Sequence, residues 1–367
     1  VFTLSQQRRK AIFIFEGDRG AGKTTALLEL FRRYLNNDKF QPFFIGLASY
    51  QAPEFENTEN LYLKSHAEIE LGEIPAILEK LAKYLNIRYT QMEDANIQRE
   101  HLSRQLVQRH RAEKPVILID SIYECEQEVR QQIESDILIP LLQLDEVIII
   151  LSGRGKRPIW ASPEFRNATY ISLENFVEEK VFEQLQKMVS KHLNEVQKIT
   201  QWSGGCPLVV RVLGKAKQVD LDALNEAINI LISDGLRPEY RSEVKEMRSL
   251  IEKIALLEPF REVEVDIYLF GNVEDKRSRT KDLVFKLIDS SLLAWDDKSS
   301  RRGLKLNETV AHPIKEWLEA EKNRYSQYKG DWQNAVEKLV ETYPSANKQE
   351  YDKVFGKEIK HVESVQI

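Results

Sequence analysis

One segment of this chain of 367 residues carries the strongest structural signal, Gly17-Asp18-Arg19-Gly20-Ala21-Gly22-Lys23-Thr24. It matches the pattern G-x-x-x-x-G-K-[ST] in full. The apolar residues AIFIF at 11–15 precede it and predict a buried strand. The residues after it predict an amphipathic helix from about Lys23 to Leu35. Strand, loop and helix in this order are the context in which the pattern forms a phosphate-binding P-loop.

Each residue type in the P-loop has a chemical task. The glycines let backbone N–H groups converge on phosphate oxygens without Cβ clashes, and the helix N-terminus adds its dipole. Lys23 is expected to reach the β- and γ-phosphates, and the Thr24 hydroxyl to ligate Mg²⁺. Thr25 is expected to contact the α-phosphate. The stretch therefore predicts binding of a purine nucleoside triphosphate together with Mg²⁺.

A second apolar strand, Val116–Ile119, ends in the carboxylate of Asp120. In P-loop folds an Asp at the carboxyl end of a neighbouring strand holds the magnesium shell. Asp120 is therefore the predicted metal residue, with capping of the following helix as the alternative. Hydrolysis also needs a group that orients or deprotonates the attacking water. Glu124 is the first candidate and Glu126 the second, and either carboxylate could instead be a solvated surface acid.

The apolar run Val147–Leu151 is followed by Ser152, Gly153 and Arg154. A cation at this strand end would face the γ-phosphate and report its presence. Arg154 is thus a predicted catalytic and sensing residue. The alternative is a solvated cation in a basic loop.

The pattern of apolar residues predicts the domains. Up to residue 170, continuous apolar runs such as FFIGL at 43–47 alternate with helical segments, which is typical of strands buried in a parallel sheet. Residues 171–237 have helical periodicity and predict a lid. Residues 238–325 predict a winged helix with two short strands around a polar turn, and 326–367 a C-terminal helix and tail.

The predicted fold class is α/β: a P-loop NTPase parallel sheet with a helical lid and a winged-helix domain. Helices are predicted at 66–86, 94–112, 178–193, 195–203, 207–217, 221–234, 238–257, 263–270, 277–290 and 331–342.

Together these motifs resemble the STAND class of P-loop ATPases, an AAA+-related group that includes NACHT proteins and apoptotic and plant resistance ATPases. LIDSIYE at 118–124 is similar to the NACHT segment LIDGLDE, with Tyr123 at the position of an acid. ILSGR at 150–154 is similar to the strand that ends in the sensor arginine. SGGCPLVVRVLG at 203–214 resembles the lid segment GGxPLAL, and VAHPIKEWL at 310–318 resembles MHDLVRE.

The resemblance implies a role for four residues. Asp120 would be the magnesium acid and Glu124 the catalytic glutamate. Pro207 would pack on the adenine, and His312 would contact the β-phosphate of ADP and lock the resting form. Ala311 and Pro313 stand where the family has Met and Asp, so an alternative is that Pro313 begins a helix and His312 is a structural cap just outside it.

The resulting hypothesis is a signalling switch in which exchange of ADP for ATP opens the domains and exposes a surface for self-association. Slow ATP hydrolysis would reset it. The alternative is a DNA-acting AAA+ ATPase of the replication-initiator or helicase-loader type. It predicts basic residues on the recognition helix, and the helix at 277–290 and the segment before it carry Lys276, Arg277, Arg279, Lys281 and Lys286 but also Asp275, Asp282 and Asp289. Arg301, Arg302 and Lys305 near the predicted wing agree with this alternative, and a solvated surface helix is the simpler interpretation. A third possibility is a nucleotide-binding scaffold with negligible turnover.

The composition of the chain bears on its binding partners and its cellular compartment. The formal net charge of −5 does not favour binding of nucleic acid or of an anionic membrane by the chain as a whole. Two cysteines, Cys125 and Cys206, are too few for a disulfide framework and favour a reducing compartment, so the cytoplasm is expected. The chain begins with Val1, and we expect it to be part of a longer protein that carries sensing and effector domains.

Overall fold

The computed structural model divides into two compact units. The first consists of Val1–Gly17 and Gly22–Glu174, and the second of Asp18–Ala21 and Asn175–Ile367. The structure describes residues 1–47, 62–63, 74–87, 94, 97, 100–102, 104–105, 113–125, 127–154, 157–236, 238–257, 259–261, 264–265, 268–269, 277–296 and 303–342.

The first unit contains a six-stranded sheet with the order β3-β2-β4-β5-β1-β6. Every neighbouring pair is parallel. The strands are β1 Lys10–Gly17, β2 Phe40–Gly46, β3 Tyr62–Leu63, β4 Lys114–Asp120, β5 Val147–Gly153 and β6 Thr169–Leu173. The predicted parallel sheet of a P-loop NTPase is therefore confirmed.

Helices cover both faces of the sheet. They are α1 Phe2–Gln7, α2 Lys23–Leu35, α3 Ile74–Leu85, α4 Gln127–Ile133, α5 Ile139–Leu141 and α6 Pro163–Arg166. A π-helical turn, Glu134–Leu138, lies between α4 and α5. Alternate residues of β4 belong to different cores: Ile117 and Ile119 pack with α3, and Val116 and Leu118 with α2. Burial on both faces explains why the strand is apolar without interruption.

The strand order brings the predicted site residues to one edge. β5 pairs with β1 on one side and with β4 on the other. Because the strands are parallel, the P-loop after β1, Asp120 at the end of β4 and Arg154 after β5 all follow the carboxyl ends of three adjacent strands.

The second unit is mainly helical around one core. Its elements are α7 Glu178–Lys187, α8 Val196–Ser203, α9 Pro207–Lys215, α10 Leu221–Gly235, α11 Val244–Ile254, α12 Arg277–Asp289, β7 Leu293–Asp296, β8 Gly303–Leu306, α13 Glu308–Ala320 and α14 Lys322–Thr342. Short 3-10 turns occur at Leu193–Glu195 and Pro238–Glu243. β7 and β8 are antiparallel. Within the part of the chain that the structure describes, no helix has the length and apolarity to cross a bilayer.

Several boundaries differ from the sequence expectation for local physical reasons. β6 was not predicted because TYISL is a short edge strand with exposed and half-buried positions and no apolar run. The helix expected over 178–193 ends at Lys187, because Val189 has a φ of +53°, outside the helical region. α14 begins at Lys322 rather than Asp331, since Gly330 lies inside the helix instead of breaking it. The helices predicted over 94–112 and 263–270, the polar turn at 297–302 and the tail at 343–367 lie wholly or partly outside the described residues.

Candidate nucleotide-binding site

The lysine at the end of the P-loop contacts the first residue of the loop. Gly22 precedes α2 with a φ of +87°, a conformation that glycine adopts without strain. The Lys23 ammonium donates a hydrogen bond to the carbonyl oxygen of Gly17 at 2.7 Å, which holds the charge across the loop. Thr25 is exposed in the first turn of α2. The loop thus combines a fixed cation with the N-terminus of a 13-residue helix, a combination suited to a phosphate chain.

The predicted metal residues are in contact. The Thr24 hydroxyl donates to one oxygen of Asp120 at 2.6 Å, and the Ser152 hydroxyl donates to the other. Burial raises the pKa of Asp120, although the hydrogen bonds from Ser152 and Thr24 and the charge of Lys23 oppose that rise. Both groups present oxygen atoms, which is the ligand type that Mg²⁺ takes in proteins. Ser121, and not Asp120, is the N-cap of the following 3-10 turn.

Ser152 is a residue that sequence reasoning missed, and its removal gives a first prediction. Ser152→Ala removes a hydrogen bond that lowers the pKa of Asp120, so that pKa should rise further. We expect Mg²⁺-dependent ATP binding about 10-fold weaker, with the loss on acidification beginning at a higher pH. Titration calorimetry across a pH series measures both effects. The exposed Ser172→Ala is the control, and a pH profile unchanged from wild type would contradict the prediction.

Glu124 and Arg154, predicted separately, form an ion pair. Arg154 follows β5, and Glu124 closes the 3-10 turn after β4. Arg154 Nε lies 3.3 Å from Glu124 Oε1, and the two side chains are only 9% and 15% exposed. Burial raises the pKa of Glu124, and the charges of Arg154 and Lys23 oppose that rise. Arg154 is therefore not a solvated loop cation, and Glu124 is not a surface acid.

A second charged cluster lies at the end of β1 and was also missed. The Tyr123 hydroxyl donates to Glu16 at 2.7 Å, and the Arg157 guanidinium donates to both Glu16 oxygens at 2.9 and 2.6 Å. Burial opposes ionisation of Glu16, but the hydrogen bonds from Arg157 and Tyr123 and the charge of Arg157 outweigh it, so its pKa is lowered. The Tyr123 ring packs directly on Gly153, where a side chain would collide with it. Tyr123 thus connects the turn that carries Glu124 to β1 and β5.

The P-loop apex, Asp18–Ala21, belongs to the second unit. The carbonyl oxygen of Gly20 accepts a hydrogen bond from the backbone N–H of Leu208 at 3.3 Å. Leu208 follows Pro207, which is buried at the first position of α9. The predicted adenine residue therefore lies one position from a direct contact with the P-loop apex.

Asp18 has partners in a helix distant in sequence. One of its carboxylate oxygens accepts from Asn307 Nδ2 at 2.8 Å, and the other from Thr309 Oγ1 at 3.1 Å. Asn307 is also the N-cap of α13, because its Oδ1 accepts from the Thr309 N–H at 3.0 Å. A carboxylate at a helix N-terminus is stabilised further by the helix dipole. The P-loop apex is thus hydrogen-bonded to the helix that carries His312.

His312 lies inside α13, as does Pro313, because Asn307 caps the helix five residues earlier. The alternative of a helix that begins at Pro313 with His312 outside it is therefore wrong. His312 Nε2 donates to the carbonyl oxygen of Gln201 at 2.6 Å, and its ring packs on Gly204. His312 thus contacts the SGGCP turn that leads into Pro207.

Two groups of predicted site residues result. Lys23, Thr24, Asp120, Glu124 and Arg154 come together at the sheet edge of the first unit. Pro207 and His312 lie in the second unit with the P-loop apex. The parallel sheet and the loop after β1 give the chain the fold of a P-loop NTPase.

No protein-family profile matches the chain, and no curated protein matches its sequence. Solved structures with some similarity to this chain include that of a signal transduction ATPase with numerous domains (STAND) protein from Pyrococcus horikoshii, which has a tetratricopeptide repeat sensor. It is 13% identical with a TM-score of 0.37, and the match covers 93% of this chain but 44% of that one. The Thermotoga maritima RuvB Holliday junction branch migration motor is 14% identical, with a TM-score of 0.38. The match covers 86% of this chain and 90% of the RuvB chain. Drosophila ORC bound to DNA is 12% identical, with a TM-score of 0.33. The match covers 85% of this chain and 91% of the ORC chain.

Proposed function

We propose that the chain binds ATP and ADP with Mg²⁺ and acts as a nucleotide-controlled switch that hydrolyses ATP slowly. One observation carries the proposal: the P-loop apex is hydrogen-bonded through Asp18 to the N-terminus of α13, and through Gly20 to the start of α9. A loop that changes with its phosphate ligand would act directly on the helices that carry His312 and Pro207.

Nucleotide binding follows from the chemistry of the first unit. Lys23 and the backbone N–H groups of the P-loop would hold the phosphates, and Thr24 and Asp120 would hold Mg²⁺. The metal would neutralise phosphate charge. Glu124 would accept a proton from the attacking water, which its raised pKa suits, and Arg154 would respond to the γ-phosphate. Pro207 would pack on the adenine.

The switch follows from the second unit. With ADP bound, His312 and the contacts of Asp18 would keep α13 beside the P-loop apex. ATP would place further negative charge near Asp18 and weaken those contacts, which would open the domains and expose a surface for self-association. A swing from 1:99 to 99:1 needs about 5.5 kcal/mol of differential affinity. Charged hydrogen bonds contribute about 1.5–3 kcal/mol each, so a few of them are enough.

A substitution at Asp18 tests the switch. Asp18→Ala removes both hydrogen bonds to α13 without touching Lys23 or Thr24. We expect ADP binding to stay within about 3-fold of wild type, while the resting form opens and is cut by trypsin as wild type is with ATP. Limited proteolysis and light scattering, with ADP and with a non-hydrolysable ATP analogue, measure protease sensitivity and oligomeric size.

The matched control is the exposed Asp38→Ala, which should behave as wild type. If wild type binds both nucleotides but neither protease sensitivity nor size differs between them, the switch hypothesis is rejected. The nucleotide-binding scaffold would then be the better description.

The DNA-acting alternative has weaker support from charge. In α12, Arg279 is paired with Glu243, Glu246 and Asp282, and Lys286 with Glu243 and Asp282. Basic side chains already neutralised by neighbouring acids contribute little to phosphate binding. Lys276, Arg301 and Arg302 lie outside the described residues. DNA binding with a steep salt dependence would favour this alternative over the switch.

A further inference from the structure

The Arg154–Glu124 pair contains a buried oxygen with an unmet hydrogen-bonding capacity. Arg154 Nε contacts Glu124 Oε1 at 3.3 Å, whereas Glu124 Oε2 is buried and has no hydrogen-bond partner among the described residues. A buried carboxylate oxygen without a hydrogen-bond donor destabilises the folded state. A pair selected only for stability would satisfy both oxygens, so the arrangement suggests a carboxylate that is held by one oxygen and kept ready for another partner.

The residues around the pair indicate which group would compete with Glu124 for Arg154. Lys23 and Asp120 both act electrostatically on Glu124, so the pair lies close to the residues that would hold phosphate and metal. Arg154 follows β5, the strand between the P-loop strand and the strand that ends at Asp120. A γ-phosphate bound by Lys23 would bring concentrated negative charge to this edge of the sheet. Guanidinium binds both carboxylate and phosphate, often through two parallel hydrogen bonds.

We infer that Arg154 exchanges partners: it holds Glu124 when the terminal phosphate is absent and moves to the γ-phosphate when ATP binds. The inference rests on the proposed nucleotide-binding function and adds how the site distinguishes ATP from ADP. ADP lacks the phosphate that competes, so Glu124 stays paired. With ATP, the movement of Arg154 to the γ-phosphate also frees Glu124 to accept a hydrogen bond from water. Arg154 is thus a positioning residue for Glu124 as well as a phosphate contact.

Exchange predicts a specific coupling between the two residues. Glu124→Gln keeps the side-chain shape but removes the charge that competes for Arg154. Binding of a non-hydrolysable ATP analogue should therefore tighten by about 10-fold, whereas ADP affinity should change less than 2-fold. In the Arg154→Ala background the same Glu124→Gln change should have no effect on either nucleotide, because there is no guanidinium to release.

The experiment is a double-mutant cycle on the full chain. Dissociation constants for ADP and for the analogue are measured by fluorescence anisotropy in wild type, both single variants and the double variant. The exposed Glu128→Gln controls for loss of one acid, and should leave both constants unchanged. If Arg154→Ala does not fold, Arg154→Met keeps the aliphatic stem and takes its place.

The outcomes separate this inference from the proposed function. A gain of ATP affinity on Glu124→Gln that depends on Arg154 supports the exchange. A gain of the same size with Arg154 absent, or an equal gain for ADP, overturns it and indicates general charge repulsion instead, while the switch hypothesis still stands. If wild type binds neither nucleotide, both are overturned.

Discussion

Lys23→Ala is expected to lower the affinity for ATP and for ADP by about 100-fold or more, since it removes charged hydrogen bonds worth about 1.5–3 kcal/mol each. The Lys23 ammonium is held across the P-loop by the Gly17 carbonyl oxygen at 2.7 Å, so it already lies where phosphates would bind. It is also one of the charges that favour ionisation of Asp120 and Glu124. Its loss therefore weakens the phosphate contact directly and the metal contact indirectly.

Calorimetric titration with each nucleotide in the presence of Mg²⁺ measures the loss. Lys215→Ala, an exposed lysine in α9, is the control and should bind as wild type does. Circular dichroism should give the same helical content for all three proteins, since the Lys23 side chain belongs to no hydrophobic core. Affinity within 3-fold of wild type for Lys23→Ala would contradict the assignment of Gly17–Thr24 as the phosphate site.

The parallel sheet could be predicted because its central strands carry their own signal. Strands buried on both faces, such as β4 and β5, have no polar positions to interrupt the apolar run. β6 carries no such signal, because an edge strand needs only one neighbour and tolerates Thr169 and Ser172 at exposed positions. Its place in the sheet depends on pairing with β1, which is more than 150 residues earlier in the chain.

Some residues of the candidate site could also be predicted from local sequence, whereas others meet only in the folded chain. The P-loop is eight consecutive residues, so one motif specifies its loop, lysine and hydroxyl together. Glu16 and Tyr123 are 107 residues apart, and Asp18 and Asn307 are 289 apart. No spacing rule links such pairs, because only the folded chain brings them within hydrogen-bond distance. The side chain of Asp18 occupies a variable motif position, and its contact with α13 therefore had no sequence signal.

Glu124 and Arg154 show the same limit at the level of chemistry. Each could be predicted as a candidate from its position after an apolar strand. Their pairing could not, because it depends on β5 lying beside β4 in the sheet. The pair changes the interpretation of both residues, since the two side chains share one buried contact instead of lying separately in solvent.

Gly205→Ala is expected to lower the free energy of unfolding of the second unit by about 2–5 kcal/mol, from left-handed backbone strain and a steric clash. Gly205 has a φ of +73°, and an added Cβ would overlap the carbonyl oxygen of Phe176. The two backbones cannot separate freely, because the Phe176 N–H donates to the Gly205 carbonyl oxygen at 2.8 Å. The clash involves backbone atoms, so no side-chain rotation relieves it.

Urea unfolding followed by tryptophan fluorescence measures the change, since Trp202 precedes the turn and Trp317 and Trp332 lie in the same core. Gly330→Ala is the matched control: Gly330 is in the middle of α14, and nothing lies within 4 Å of its added Cβ. Because alanine favours the helix, that variant should be more stable by about 0.5–1 kcal/mol. If the free energy of unfolding falls for Gly205→Ala and rises for Gly330→Ala, the loss at Gly205 comes from the contact with Phe176 and from the backbone conformation of the turn. Equal effects at the two positions would show instead that the turn before Pro207 readjusts without cost, and that it does not hold α9 and His312 in place.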